Sequence, residues 1–311
     1  MTALYVLLGL LLGGVTVTFI GARYAYKKAF YADRSIPTDY YKGIDDPTRF
    51  PPTMRDLIDG MIALPVERVS IKSEDGLTLV GYYHHVADGA PVDILFHGFR
   101  SSWQRDMSAI VPIVTARGHN VLLVDQRAHG ESEGRVISYG INESGDAARW
   151  VDYVIRRFGE DVRIVLVGIS MGAATVICAA GRGLPDNVKA VVADSPFSSA
   201  TDIICKVGSR GNKRAVPVIS FFARLGARLF GGFSATRVSA KGVARNIKVP
   251  FLLIHGTADA LVPYEMAVEI AATNPAVRFE SFEGADHVAS CLVDHERYTA
   301  TVNEFLEDCR L

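Results

Sequence analysis

Residues 163–180 read RIVLVGISMGAATVICAA, and the fold is decided in the middle of them. Ile164-Val165-Leu166-Val167 is a short, continuously apolar, largely β-branched run, the pattern of a strand buried on both faces. Met171 to Ala180 is a run of small and apolar residues that reads as a helix. Between them stands Gly168-Ile169-Ser170-Met171-Gly172, a serine flanked by glycines at Gly-x-Ser-x-Gly spacing. A chain that passes from strand to helix in so few residues makes a strained corner. Only small neighbours fit there, and the Ser170 hydroxyl projects off the C-terminal edge of the sheet. The free N–H groups of the following helix favour negative charge at that point, so the Met171 N–H is placed to donate to an oxyanion.

Outward from this corner, strands and helices alternate. Val66–Lys72 and Leu77–His84 alternate in polarity around Ser73-Glu74-Asp75-Gly76, which predicts a hairpin. Strands are expected at Val92–Phe96, Asn120–Val124, Arg163–Val167, Val188–Ala193, Pro250–Ile254 and Val277–Phe282. Helices are expected at 53–63, 105–117, 142–158, 171–180, 263–273 and 294–308. Fully apolar strands alternating with helices argue for a mostly parallel sheet covered on both faces, begun by an antiparallel hairpin. About 55 residues between Ala193 and Pro250 contain no strand signal. They include the Arg-punctuated apolar stretch 214–233, which fits either a functional cap or an ordinary packing helix.

The chain has 311 residues, 49% of them hydrophobic, and a net charge of −1. That is enough for a full core, and it lacks the basic stripe that nucleic-acid binding requires. Cys178, Cys205, Cys291 and Cys309 are scattered without metal-site spacing and read as free thiols in a reducing compartment. Thr2 to Ala22 carries no charge and is long enough to cross a bilayer. No basic residue precedes it, and it runs on into Arg23, Lys27, Lys28 and Arg34, which fits an uncleaved anchor better than a cleaved signal. The basic flank places the C-terminal bulk in the cytoplasm, with Tyr24, Tyr26 and Tyr31 at the interface. The expected organisation is therefore a single-pass membrane anchor with basic flank at 1–32 and a linker with a short helix at 33–63. A catalytic domain follows at 64–311, with a cap insertion at about 196–247. The four-proline stretch 33–52 is expected to lie near the membrane.

A serine hydroxyl needs a base, and the base needs an orienting acid. On a strand–corner–helix scaffold both follow the serine in the chain. Asp259 lies in His255-Gly256-Thr257-Ala258-Asp259, after the strand at 250–254, and His287 lies in Gly284-Ala285-Asp286-His287, after the strand at 277–282. All three residues thus leave the same edge of the sheet, where such sites form. The second oxyanion donor is expected from the loop after Val92–Phe96, at the Phe99 N–H, with Gly98 allowing close approach and His97 structural.

With His97-Gly98-Phe99, Asp125-Gln126-Arg127-Ala128-His129-Gly130-Glu131-Ser132, Gly168-Ile169-Ser170-Met171-Gly172, His255-Gly256-Thr257-Ala258-Asp259 with Val262-Pro263, and Gly284-Ala285-Asp286-His287 in hand, the chain resembles the serine hydrolases of the α/β-hydrolase fold over about residues 64–309. Within them it resembles the membrane-anchored Bem46-like and serine-aminopeptidase-like group. The resemblance implies Ser170 as nucleophile, Asp259 as acid, His287 as base, and Phe99 and Met171 as oxyanion donors. It also implies hydrolysis of an ester, thioester or amide without metal or cofactor.

Rivals exist at several positions. Asp194, at a strand end, is an alternative acid; Asp286 adjoins His287 and is a poor orienter. Asp125, Arg127 and His129 read as a buried turn bracing the sheet edge. His84 and His85 are expected to be solvated, His119 and His295 to be surface or capping residues, and Cys178 to be core. The leading expectation is a membrane-anchored esterase or thioesterase acting on a lipid-like acyl substrate. A peptidase or amidase on the same triad is the first alternative, with Glu131, Glu133 or Asp202 seating a peptide terminus. A non-catalytic ligand-binding protein of the same fold is the second. Dehalogenases and epoxide hydrolases put Asp where Ser170 stands.

Overall fold

The computed structural model describes residues 1–35, 39–46 and 50–311. Helix α1 (Thr2–Ala29) and α2 (Met54–Ile62) precede the sheet strands β1 (Glu67–Lys72), β2 (Thr78–His84) and β3 (Val92–Phe96). Then come α3 (Trp103–Asp106), α4 (Val111–Ala116), β4 (Asn120–Val124), α5 (Glu143–Phe158), β5 (Ile164–Ile169), α6 (Met171–Ala180) and β6 (Val188–Asp194). The insertion holds α7 (Ala200–Ser209), α8 (Val216–Phe230) and α9 (Ala240–Ala244). The chain closes with β7 (Phe251–Gly256), α10 (Tyr264–Ala271), β8 (Val277–Phe282), α11 (Ser290–Val293) and α12 (His295–Asp308).

One eight-stranded sheet runs in the order β1-β2-β4-β3-β5-β6-β7-β8. β2 pairs antiparallel with β1 and β4, and the six strands from β4 to β8 in that order are parallel. β3, β4 and β5 are buried at every residue, which is why, Asp93 and Asn120 apart, their sequences are apolar without alternation. One face packs on α5, α6, α9 and α10 around Trp150; the other packs on α3, α4 and α12 around Met107 and Phe305. After β3 the chain steps to β4 on one side and then to β5 on the other. That reversal opens a crevice between the C-terminal ends of β3 and β5, where doubly wound sheets hold their ligands.

The expected helix at 105–117 is two helices, α3 and α4, with turns between them. Pro112 explains the break: it has no N–H to give to residue 108 and suits the first turn of a new helix. His119 is not a surface residue. It is buried, with Nδ1 2.8 Å from the fully buried Asp93 Oδ1. His295 is exposed and opens α12, and the three cysteines Cys178, Cys205 and Cys291 are buried free thiols.

α1 is one unbroken helix of 28 residues, about 42 Å long. No residue of its most apolar 18-residue window is buried. Its last turns are packed: Ala22 and Phe30 are completely buried, and Tyr26 and Phe30 cluster with Ala223, Ala227 and Phe233 of the insertion. Gly226 makes this close approach possible, because a Cβ there would meet Ala22 O at 2.5 Å. Of the stretch 33–52, residues 36–38 and 47–49 lie outside the described residues. The described start of it is held to the body, with Arg34 donating to Gly130 O at 2.8 Å and to Ser132 O.

Candidate active site

The corner at Ser170 is as strained as its sequence requires. Ser170 has φ 55° and ψ −112°, and a Cβ at Gly172 would run into Phe96 O. The Ser170 N–H is tied to Asp194 O at 2.8 Å, which fixes the corner against the end of β6. Arg100, Tyr139, Ser195 and Val288 also hold positive φ. Arg100 follows Phe99, Val288 follows His287, Tyr139 stacks on Phe99 and Ser195 bonds Val288, so backbone strain gathers around one point.

Three loops converge there. His287 Nε2 lies 2.9 Å from Ser170 Oγ, and His287 Nδ1 lies 2.7 Å from Asp259 Oδ2. Asp259 Oδ1 accepts the N–H groups of Leu261 at 3.0 Å and Val262 at 2.7 Å. Burial works to raise the Asp259 pKa. Hydrogen bonds from His255 and His287, the charge of His287 and the Val262 N–H outweigh it and hold the carboxyl at about 2. An anion in that place fixes the Nδ1–H tautomer of His287 and leaves Nε2 to face the serine.

The structure does not bring the rivals into this chain. Asp194 accepts from Ser195 Oγ at 2.9 Å and from the Tyr298 hydroxyl at 3.1 Å. Asp286 Oδ1 accepts the Ala260 N–H at 3.0 Å. Glu131 pairs with Arg68, Glu133 accepts the Thr78 N–H, and Asp202 accepts the hydroxyl of Ser199, the residue that caps α7. Arg127 binds both Asp146 and Asp75, tying the hairpin turn to α5.

The loop after β3 is held from several sides. The Met171 N–H is the first of α6 and has no acceptor within its helix. The Phe99 N–H meets no acceptor among the described residues. Burial lowers the His97 pKa to about 4; burial and the adjacent His97 lower that of His129 to about 3. Both rings are therefore neutral at physiological pH. Their Nδ1–H groups donate to Gly98 O at 2.8 Å and Arg127 O at 2.9 Å. Their Nε2 atoms accept the N–H groups of Gln126 at 3.2 Å and Arg100 at 3.0 Å.

Sequence reasoning did not single out Asp106 or His255. Asp106 is half-buried and accepts the Gly98 N–H at 2.7 Å and the Ser101 hydroxyl at 2.6 Å, setting the direction of the loop that carries Phe99. His255 Nε2 lies 3.2 Å from Asp259 Oδ2 and 3.0 Å from Val262 O, bracing the carboxylate from its far side. No local pattern marks Asp106, whereas the position of His255 four residues before Asp259 was visible. Beside Ser170 an apolar wall gathers Met171, Tyr139, Phe197, Val262, Met266 and Ala32. A separate cavity of about 690 Å³ lies at the other end of the sheet, between Pro65, His85 and Phe158, and contains none of the three converging residues.

Residues 94–215 match the family described as alpha/beta hydrolase fold. YqkD, an uncharacterized protein of Bacillus subtilis, is 28% identical over 245 residues, 76% of this chain and 78% of its own. YfhR of Escherichia coli, also uncharacterized, is 28% identical over 220 residues, 68% and 69% of the two chains. Among solved structures, the Pyrococcus furiosus esterase Pf2001 aligns with 28% identity and a TM-score of 0.62, over 84% of this chain and 97% of that one. Est1E of Butyrivibrio proteoclasticus, solved with ferulic acid bound, aligns at 21% identity and a TM-score of 0.58, over 77% and 98%. Sheet order, connections and these similarities together give the chain the α/β-hydrolase fold, shared with esterases.

Proposed function

We propose that the protein is a membrane-anchored serine hydrolase that cleaves carboxylic esters or thioesters. The observation that carries this reading is the unbroken hydrogen-bond chain from Ser170 through His287 to Asp259. In the reaction His287 Nε2 takes the Ser170 proton as Oγ attacks the acyl carbon. The Phe99 and Met171 N–H groups receive the oxyanion, His287 protonates the leaving group, and water clears the acyl-enzyme by the same steps in reverse roles. Asp259 stays ionised and steadies the imidazolium.

Residues 64–311 act as the hydrolase domain, about 196–247 as its cap, and α1 as a single-pass anchor with the domain on the cytoplasmic side. A lipid-like acyl substrate is supported by two features. The wall beside Ser170 is apolar and aromatic. Arg100, next to Phe99, donates to Lys28 O and Tyr31 O, each at 3.0 Å, so the site opens close to where α1 leaves the bilayer. A peptidase is disfavoured because the three acids considered for a peptide terminus already have structural partners.

The test uses the full chain in a neutral detergent, since residues 22–34 belong to the packed body. A p-nitrophenyl ester series from acetate to palmitate is run beside Ser170→Ala, with fluorophosphonate labelling of both proteins. Activity and labelling that vanish in the variant support the triad, and a long-chain optimum supports the lipid-like substrate. Activity confined to acetate sinks the lipid idea, and absence of both labelling and turnover returns the weight to a binding protein.

A further inference from the structure

Charge is distributed unevenly over the molecule. Residues 196–247 hold nine Lys or Arg and a single acid, Asp202, in a chain whose net charge is −1. Two of these cations, Arg224 and Arg228, stand one turn apart on α8. Both are exposed, and neither has a carboxylate partner among the described residues. They line one cavity of about 490 Å³ together with the hydroxyls of Ser220, Ser234 and Thr236 and the ring of Phe221. Two guanidinium forks on one concavity, with three hydroxyls beside them that can also donate, suit a phosphate, since arginine matches its oxygens in bidentate fashion.

The position of the cavity says where the phosphate comes from. α8 crosses α1 at the level of Phe19 to Tyr26: Phe19 and Phe230 rings lie 5.1 Å apart, and Arg23 lies over the Phe230 ring at 5.7 Å. That is where the charge-free stretch of α1 ends and its basic flank begins. Val218, Phe221 and Leu229 on α8 are large apolar side chains more than half exposed. Exposed apolar residues interleaved with unpaired cations, beside an apolar helix, match an interface of acyl chains and anionic headgroups.

We infer that the Arg224–Arg228 cavity binds the phosphate headgroup of an anionic membrane lipid. This rests on the reading of α1 as a membrane anchor and adds to it a second, headgroup-specific contact. The cap is thereby pressed onto the leaflet, and the domain is held in one tilt over the surface from which substrate would enter.

The full chain in neutral detergent is titrated with dioctanoyl phosphatidylglycerol and, separately, with dioctanoyl phosphatidylcholine. The same titrations are run on Arg224→Gln/Arg228→Gln. Both side chains are exposed, so the double variant should melt with the wild type. Saturable binding of phosphatidylglycerol that weakens about thirtyfold in the variant is expected, with phosphatidylcholine binding no tighter than in the variant. Equal affinity of wild type and variant overturns the proposal, as does equal affinity for the two lipids. Inorganic phosphate that displaces the lipid at equal concentration overturns the lipid assignment in favour of a soluble anion. Alkaline carbonate extraction of membranes holding the full chain reports on the anchor alone. A chain that washes off yet binds phosphatidylglycerol would sink the anchor and leave the headgroup site standing.

Discussion

Two Asp–His pairs, each built on a buried carboxylate, stand at opposite ends of the same sheet. At the N-terminal end, Asp93 and His119 are 2.8 Å apart; at the C-terminal end, Asp259 and His287 are 2.7 Å apart. As pairs they are nearly indistinguishable, and their surroundings separate them. Asp259 collects two backbone N–H groups and a second histidine, and its partner's far nitrogen meets a hydroxyl. Asp93 Oδ2 has no hydrogen-bond partner among the described residues. Accordingly burial raises the Asp93 pKa, while at Asp259 donors reverse the effect of burial. What separates the pair of the proposed site from the other is the groups that turn it and the group it faces.

The contrast can be broken most forcefully at the serine. Ser170→Ala should lower kcat on any ester that the wild type cleaves by about 10⁴-fold or more, read in steady-state assays. Asp259→Asn should cost about 10⁴-fold in kcat through the wrong His287 tautomer, whereas Asp93→Asn should leave kcat unchanged. Equal losses in the two variants would erase the distinction drawn between the pairs. Asp106→Ala frees the Gly98 N–H and lets the oxyanion loop drift. It should lower kcat by about 10²-fold with a smaller change in KM.

The smallest effects are in stability, and they have opposite signs. Asp259, at about 2 in the folded chain against about 3.9 unfolded, contributes about 2.5 kcal/mol above pH ~4 that is lost as pH falls through 2. Asp93 is shifted upward, so its contribution is present at low pH and is lost as pH rises through the carboxylate range. Denaturant unfolding from pH 2 to 7 should show Asp259→Asn falling behind the wild type as pH rises and Asp93→Asn catching up with or overtaking it. Parallel curves for the two variants would mean the environments do not differ as described.

The sheet was legible because buried parallel strands are locally encoded. β4, α6 and β8 begin and end at the residues their sequence patterns predict. The Ser170 corner was legible for the same reason: glycines and strand-to-helix patterning sit within ten residues. The environment of His119 was not. Its burial depends on Asp93, 26 residues away on the neighbouring strand, and a lone histidine before a strand carries no sign of that partner. Asp106 was hidden because its bond to Gly98 arises only when α3 folds back under the loop. The packed end of α1 was invisible too, since hydropathy reports that a helix is apolar and says nothing of the Gly226 surface waiting for it.

The two hydrogen bonds from Arg100 to the carbonyls at the end of α1 have a kinetic consequence. Together with the packing of Tyr26 and Phe30 against the insertion, they hold the end of the helix against the mouth of the site. If α1 is the membrane anchor proposed above, the protein's encounter with substrate becomes a lateral search in two dimensions. Its velocity should follow the mole fraction of substrate among the surrounding lipids, and diluting the membrane with inert lipid should slow it even when the bulk substrate concentration is unchanged.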